Sequence, residues 1–171
     1  DAGNNNTFVA TLNAATAFSV TSMTDEDDAH DPVITVDNGI VTVTGAVAGI
    51  AASATDVLSF TIADDGGMAI GGNQTQGNNK TVVFTLQGGS LEFNGASAQA
   101  IAGAILSDAG NDGTLTLSGA GKKTFAGVIG GAGTHELGTL TVAADAEGEF
   151  NGTLDVVTVS YLGTLQIDGA S

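Results

Sequence analysis

A short strand motif bounded by glycines recurs along the chain at nearly constant intervals. Its clearest copy is Gly113-Thr114-Leu115-Thr116-Leu117-Ser118-Gly119, where leucines alternate with hydroxyl-bearing residues. Alternation with a period of two is typical of a strand with one buried face. Copies begin at the glycines at positions 39, 66, 89, 113, 138 and 163, so neighbouring copies start 27, 23, 24, 25 and 25 residues apart. This period indicates a repeat architecture.

A second strand follows in the latter half of each unit. Ile101, Phe125 and Phe150 occupy the same place in successive units, 24 and 25 residues apart. All-strand units of about 24 residues are too short to be domains and have the length of one turn of a β-solenoid. We therefore predict an all-β, parallel β-solenoid (β-helix). We expect two core columns, formed by Leu115, Leu140 and Leu165 and by Ile101, Phe125 and Phe150.

The N-terminal segment departs from this regularity. We divide the chain into residues 1–38, an irregular segment or cap with an acidic loop, and residues 39–171, the solenoid repeats. A β-sandwich filament subunit that donates its N-terminal strand is the alternative fold. It would explain the strand-like residues 7–21 but does not explain the repeat period of about 24 residues.

The order of glycine, Thr-Leu or Ser-Leu, alternating strand, glycine and Phe-x-Gly strand resembles the autotransporter-associated β-strand repeat. The resemblance is best over residues 89–171 and looser over residues 39–88. That repeat occurs in passenger domains of type V secreted bacterial proteins, including surface-layer-like antigens and adhesins. The resemblance implies a right-handed parallel β-helix at a cell surface, with a structural or adhesive role and no cofactor. We expect an extracellular location at a bacterial or archaeal cell surface.

Charge excludes several classes of partner. The chain has 19 acidic residues, three lysines and no arginine, for a net charge of −16. Electrostatic binding to nucleic acid or to an anionic membrane is excluded by this balance. No apolar run is long enough to cross a bilayer, so we expect no membrane insertion by this segment. Lys122 and Lys123 lie between glycines, and we interpret them as turn residues.

A crowded acidic stretch is the best candidate for a metal site. Asp25, Asp27, Asp28 and Asp31 lie close together in sequence, with Glu26 among them. Calcium takes six to eight oxygen ligands, which carboxylates supply, although the spacing does not fit an EF-hand loop. The two interpretations are a calcium site and a solvated loop, which is the commoner fate of a charge run.

The open ends of a solenoid expose unpaired backbone groups that invite another strand. We therefore predict a homo-oligomer or filament formed through those ends. The candidate contact residues are Leu165 and Ile167 near the C-terminus and Phe8 and Val9 near the N-terminus.

These observations favour an extracellular, non-enzymatic structural or adhesive protein, either a passenger segment or a fibre subunit, with contact to a host surface or matrix. One alternative is a calcium-stabilised binding module. Another is a polysaccharide-active β-helix enzyme. A lyase of that kind would want arginine or lysine against the acidic substrate, and this chain has three lysines only.

Overall fold

The described chain is built from β-strands alone. The computed structural model describes residues 9–13, 17–25, 31–49, 56–76, 80–108, 111–131, 133 and 135–169. Its strands are β1 (Val9–Asn13), β2 (Phe18–Val20), β3 (Met23–Asp25), β4 (Val33–Val43), β5 (Val47–Gly49), β6 (Asp56–Ile70), β7 (Gln74–Gln76), β8 (Lys80–Gln87), β9 (Ser90–Phe93), β10 (Gln99–Ile101), β11 (Ala104–Ser107), β12 (Thr114–Leu117), β13 (Lys122–Phe125), β14 (Leu137–Val142), β15 (Glu147–Phe150), β16 (Val156–Tyr161) and β17 (Thr164–Ile167).

These strands stack in successive turns with a spacing of about 24 residues. One sheet has seven strands in the order β17-β15-β13-β10-β7-β5-β3, and the other has ten. The ten-stranded sheet forks at β6, whose residues 56–63 pair with β8 and whose residues 67–70 pair with β9. We call the side that continues into β8 and β11 the first branch, and the side that continues through β9, β12, β14 and β16 the second branch.

The prediction of an all-β parallel solenoid is confirmed. Every pairing between named strands is parallel, which excludes the antiparallel β-sandwich alternative. The repeat glycines at positions 39, 66, 89, 113 and 138 lie in register in the second branch, as the pairs Gly39–Gly66, Gly67–Ser90, Ser90–Thr114 and Thr114–Thr139 show. The right-handed sense of the coil remains a prediction.

The sixth copy of the motif departs from the predicted column. Leu115 pairs with Leu140 as expected, but the next residue in that column is Val159, because β16 takes the place beside β14. Leu165 lies instead in the seven-stranded sheet, opposite Gly148. The assignment of Leu165 to the leucine column was therefore wrong. The physical reason is the apolar run Val156–Tyr161, which forms a strand 19 residues after its partner and closes a shorter last turn.

The N-terminal residues that the structure describes belong to the same stack. Strand β1 pairs with residues 33–38 of β4, and β2 pairs with residues 41–43. Strand β3 pairs with β5 in the seven-stranded sheet. The division that we placed at residue 38 falls inside β4, which runs without a break from Val33 to Val43.

Phenylalanine rings form a continuous chain through the interior. Phe60 stacks on Phe84 with ring centroids 5.0 Å apart, and Phe125 stacks on Phe150 at 4.7 Å. Phe93 links the two pairs through edge-to-face contacts with Phe84 and Phe125 at 6.4 and 5.6 Å. All five side chains are fully buried. The predicted column of Ile101, Phe125 and Phe150 is confirmed, and Ile167 continues it.

Candidate functional site

The last turn exposes the interior of the stack. Val159 and Tyr161 pair with the buried residues Leu140 and Val142, so their side chains lie on the core-facing side of the second branch. No further described strand covers them. Five of the seven large apolar side chains that are exposed in the described chain belong to this turn: Val157 (54% exposed), Val159 (42%), Tyr161 (61%), Leu162 (82%) and Ile167 (43%). We call these five residues the terminal apolar patch.

Among the described residues, both ends of the stack carry open strand edges. Strands β16 and β17 end the ten-stranded and seven-stranded sheets on one side, and among described residues each pairs with a single neighbour. Strands β1, β2 and β3 form the corresponding edges at the other end. Such edges present rows of backbone N–H and C=O groups that can accept another strand.

The predicted contact residues lie partly at these ends. Leu165 and Ile167 are on β17, where Leu165 is half-buried against the core and Ile167 belongs to the terminal apolar patch. Val9 begins β1. Phe8 lies outside the described residues. Sequence reasoning missed Val157, Val159 and Tyr161, although the alternating apolar run Val156–Tyr161 is a signal that could have identified them.

The four predicted calcium ligands are only partly described. Asp25 ends β3 and is half-buried, while Asp31 is exposed and its Oδ1 accepts a hydrogen bond from the Val57 amide at 2.7 Å. Asp27 and Asp28 lie outside the described residues. The described part of the chain contains no group of three or more metal-ligating side chains close enough to hold an ion. The calcium site stays a prediction, which a thermal melt with and without a chelator would test.

A second acidic feature was not predicted. A cleft of about 450 Å³ lies where the two branches of the ten-stranded sheet separate, and five aspartates from three different turns line it. Those residues are Asp37, Asp64, Asp65, Asp108 and Asp112, with Ala63 and Gln87. Stacking brings together carboxylates that are far apart in sequence, so a search for local charge runs cannot find them. The cleft concentrates negative potential on this side of the rod.

A buried lysine is the least expected feature of the interior. Lys123 is fully buried, and its Nζ donates hydrogen bonds to the carbonyl oxygens of Gly95 at 3.0 Å, Gly119 at 2.6 Å and Gly121 at 2.6 Å. These carbonyls belong to two successive corners between the second branch and the seven-stranded sheet. The interpretation of Lys122 and Lys123 as turn residues was wrong, because both lie on β13.

Two opposing effects act on the ammonium of Lys123, and burial is the larger. Burial lowers the pKa of its ammonium below the usual value, while the negative charges of Asp145 and Glu92 act in the opposite direction. An ammonium has three donors, and here all three are used by backbone acceptors. The side chain therefore holds two consecutive turns together at this corner.

Two buried glutamines likewise form hydrogen bonds with backbone groups of earlier turns. Gln99, which pairs with Lys123, accepts a hydrogen bond from the Gly95 amide at 2.8 Å and donates to the carbonyls of Ile70 at 3.0 Å and Gly72 at 2.6 Å. Gln74 is also fully buried and accepts a hydrogen bond from the Gly103 amide. Backbone groups that turn into the interior at these corners are thus satisfied by side chains.

On the outward side of β13, Lys122 forms ion pairs with β15. Its Nζ lies 2.9 Å from Oε2 of Glu149 and 3.5 Å from Oε1 of Glu147. The hydrogen bond from Lys122, and then that from Thr124, lowers the pKa of the Glu149 carboxyl, and the hydrogen bond to Glu149 raises the pKa of Lys122. Side-chain hydrogen bonds and ion pairs therefore connect neighbouring turns on both sides of the sheet.

The fold defines the chain as a parallel β-solenoid protein. No protein-family model, curated protein or solved structure matches it. Among the described residues, no helix is long and apolar enough to cross a membrane. The similarity to autotransporter-associated repeats therefore remains a prediction from the motif.

Proposed function

We propose that this chain is a non-enzymatic structural and adhesive element of an extracellular surface, a rod that functions by joining other molecules through the end of its stack. The observation that carries the proposal is the terminal apolar patch. Contiguous exposed apolar surface on a soluble protein typically marks an interaction site. Here it coincides with open strand edges, so one partner can satisfy both.

Covering the patch would favour association. Full burial of a valine, leucine or isoleucine side chain contributes about 1.5–3 kcal/mol. The five residues of the patch are between 42% and 82% exposed, so covering them contributes on the order of 1 kcal/mol each. Pairing of β16 and β17 with further strands would add hydrogen bonds to this apolar term.

The repeat motif supports a location outside the cell, because the Gly-Thr-Leu and Phe-x-Gly pattern resembles repeats of bacterial surface proteins. The net charge of −16 keeps such a rod soluble and repels nonspecific neighbours. Adhesive contact with a host surface or matrix belongs to the same proposal.

The proposal is tested by measuring self-association of the purified chain with sedimentation and electron microscopy at about 0.15 M salt. We expect assemblies whose proportion rises with protein concentration. Val159→Lys should abolish them without changing the circular dichroism spectrum. Thr158→Lys is the matched control, because Thr158 is the neighbouring exposed residue on the opposite face of β16. A wild-type chain that stays monomeric at all concentrations would overturn the proposal.

A further inference from the structure

The terminal apolar patch fits one occupant better than any other, namely the first turn of a second copy of this chain. This inference rests on the proposed function and specifies the partner. We infer that the chain assembles head to tail, with the N-terminal edges β1, β2 and β3 of one copy stacked on the C-terminal edges of the next.

Core columns that run from the first to the last described turn carry this inference. In the second branch, two apolar columns pass through every turn without a polar interruption. One column consists of Phe18, Val41, Met68, Leu91, Leu115, Leu140 and Val159, and the other consists of Val20, Val43, Ile70, Phe93, Leu117, Val142 and Tyr161.

The two ends of these columns match each other. Phe18 and Val20 are half-buried and pack against the core from the first turn, while Val159 and Tyr161 are exposed on the last turn. Each pair is separated by one intervening residue, so both have the spacing of a single strand face. A second copy placed on the last turn would continue both columns with Phe18 above Val159 and Val20 above Tyr161.

Strand direction favours this arrangement over a tail-to-tail dimer. The chain coils in one sense, so a head-to-tail neighbour keeps every new pairing parallel, as every pairing between named strands is. A two-fold axis that brings two C-terminal ends together reverses the direction of the facing strands and makes each new pairing antiparallel. Head-to-tail stacking therefore repeats the turn-to-turn interface that already builds the molecule.

The same stacking would also extend the seven-stranded sheet from one copy into the next. Strand β3 is its first edge and β17 its last, so β17 of one copy would pair with β3 of the next. A contact that uses different surfaces on the two partners does not close on itself unless the rotation allows it, and the product is an open filament. Seven strands at roughly 4.8 Å give an axial repeat of about 34 Å per copy.

Charge sets the conditions for assembly. The net charge of −16 makes two copies repel each other at low ionic strength. Salt at about 0.15 M reduces the screening length to about 8 Å, which removes most of the long-range repulsion. Assembly should therefore strengthen as salt rises, in contrast to an interface held by opposite charges.

Two half-blocked variants provide the test. Val20→Lys disables the N-terminal end and Val159→Lys the C-terminal end, with the outward neighbours Ser19→Lys and Thr158→Lys as matched controls. Each blocked variant alone should be monomeric by sedimentation. An equimolar mixture should form dimers and nothing longer, because each dimer joins the one intact end of each variant. Dimer formation also demonstrates that both variants are folded.

Val20→Thr preserves the side-chain shape and should weaken association about tenfold.

Other outcomes separate this inference from the proposed function. If Val20→Lys alone forms dimers while Val159→Lys does not, the contact is tail to tail, and the head-to-tail inference is overturned while the proposed function stands. If wild type associates but the mixture stays monomeric and Val20→Thr behaves as wild type, the inference is likewise overturned. If wild type itself is monomeric, both fail.

Discussion

Replacing Lys123 by methionine tests whether a buried ammonium holds two turns of the stack together. The substitution keeps the length and apolar stem of the side chain but removes three hydrogen bonds, to the carbonyl oxygens of Gly95, Gly119 and Gly121. A buried polar group left without a partner costs about 1–3 kcal/mol. Three carbonyl groups without this donor would therefore lower the free energy of unfolding by several kcal/mol.

An opposing contribution reduces this loss. Burial of a charged ammonium is itself unfavourable by several kcal/mol, and methionine avoids that cost. Because the groups left behind are neutral carbonyls and the two effects partly cancel, we expect the free energy of unfolding to fall by about 1–3 kcal/mol. Lys123→Gln should lower the free energy of unfolding by less than Lys123→Met. A glutamine can bond two carbonyl groups at such a corner, as Gln99 does in the paired position of the preceding turn.

Urea unfolding followed by circular dichroism measures these differences. Lys122→Met is the matched control, since Lys122 is the adjacent residue on the outward face and its ion pairs with Glu147 and Glu149 are partly exposed. Solvent-exposed ion pairs contribute little to stability, so Lys122→Met should change the free energy of unfolding much less than Lys123→Met. A Lys123→Met protein as stable as wild type, or more stable, would refute the view that the ammonium clamps the corner.

Three further substitutions probe other parts of the stack. Phe125→Ala should lower the free energy of unfolding by about 3–5 kcal/mol in urea titrations, because it interrupts the chain of stacked rings. Gly127→Ala should lower the melting midpoint and cost about 1–3 kcal/mol, since its Cβ would lie 2.1 Å from the Gly103 carbonyl oxygen. Glu149→Gln should make the free energy of unfolding less dependent on pH in the acidic range. The lowered pKa of Glu149 makes its contribution complete above the ordinary value and lost as pH falls through the lowered one.

The sequence predicted the repeat and the fold because strand alternation and spacing are local properties. The column of Ile101, Phe125 and Phe150 followed from a constant interval and proved correct. The placement of Leu165 failed because the last turn is shorter, and which strand joins which sheet depends on competition between neighbouring runs. Lys123 looked like a surface residue because its acceptors are backbone carbonyls, which no side-chain pattern reveals.

The candidate sites show the same distinction. An acidic run such as residues 25–31 is visible in sequence, yet the five aspartates of the cleft become neighbours only through stacking. The terminal apolar patch needed knowledge of which strand comes last, since Val159 and Tyr161 are ordinary core residues in every respect except the absence of a following described turn.

The stacking of turns along one axis also determines how the molecule would respond to tension. The first and last described strands lie at opposite ends of the stack, so a force applied through them pulls along the direction of the inter-strand hydrogen bonds. The end turns would detach first. Each turn of about 24 residues would release about 80 Å of extended chain. The folded rod shortens by only about 4.8 Å for each turn lost. Under tension the stack would therefore lengthen greatly while most of its turns are still intact.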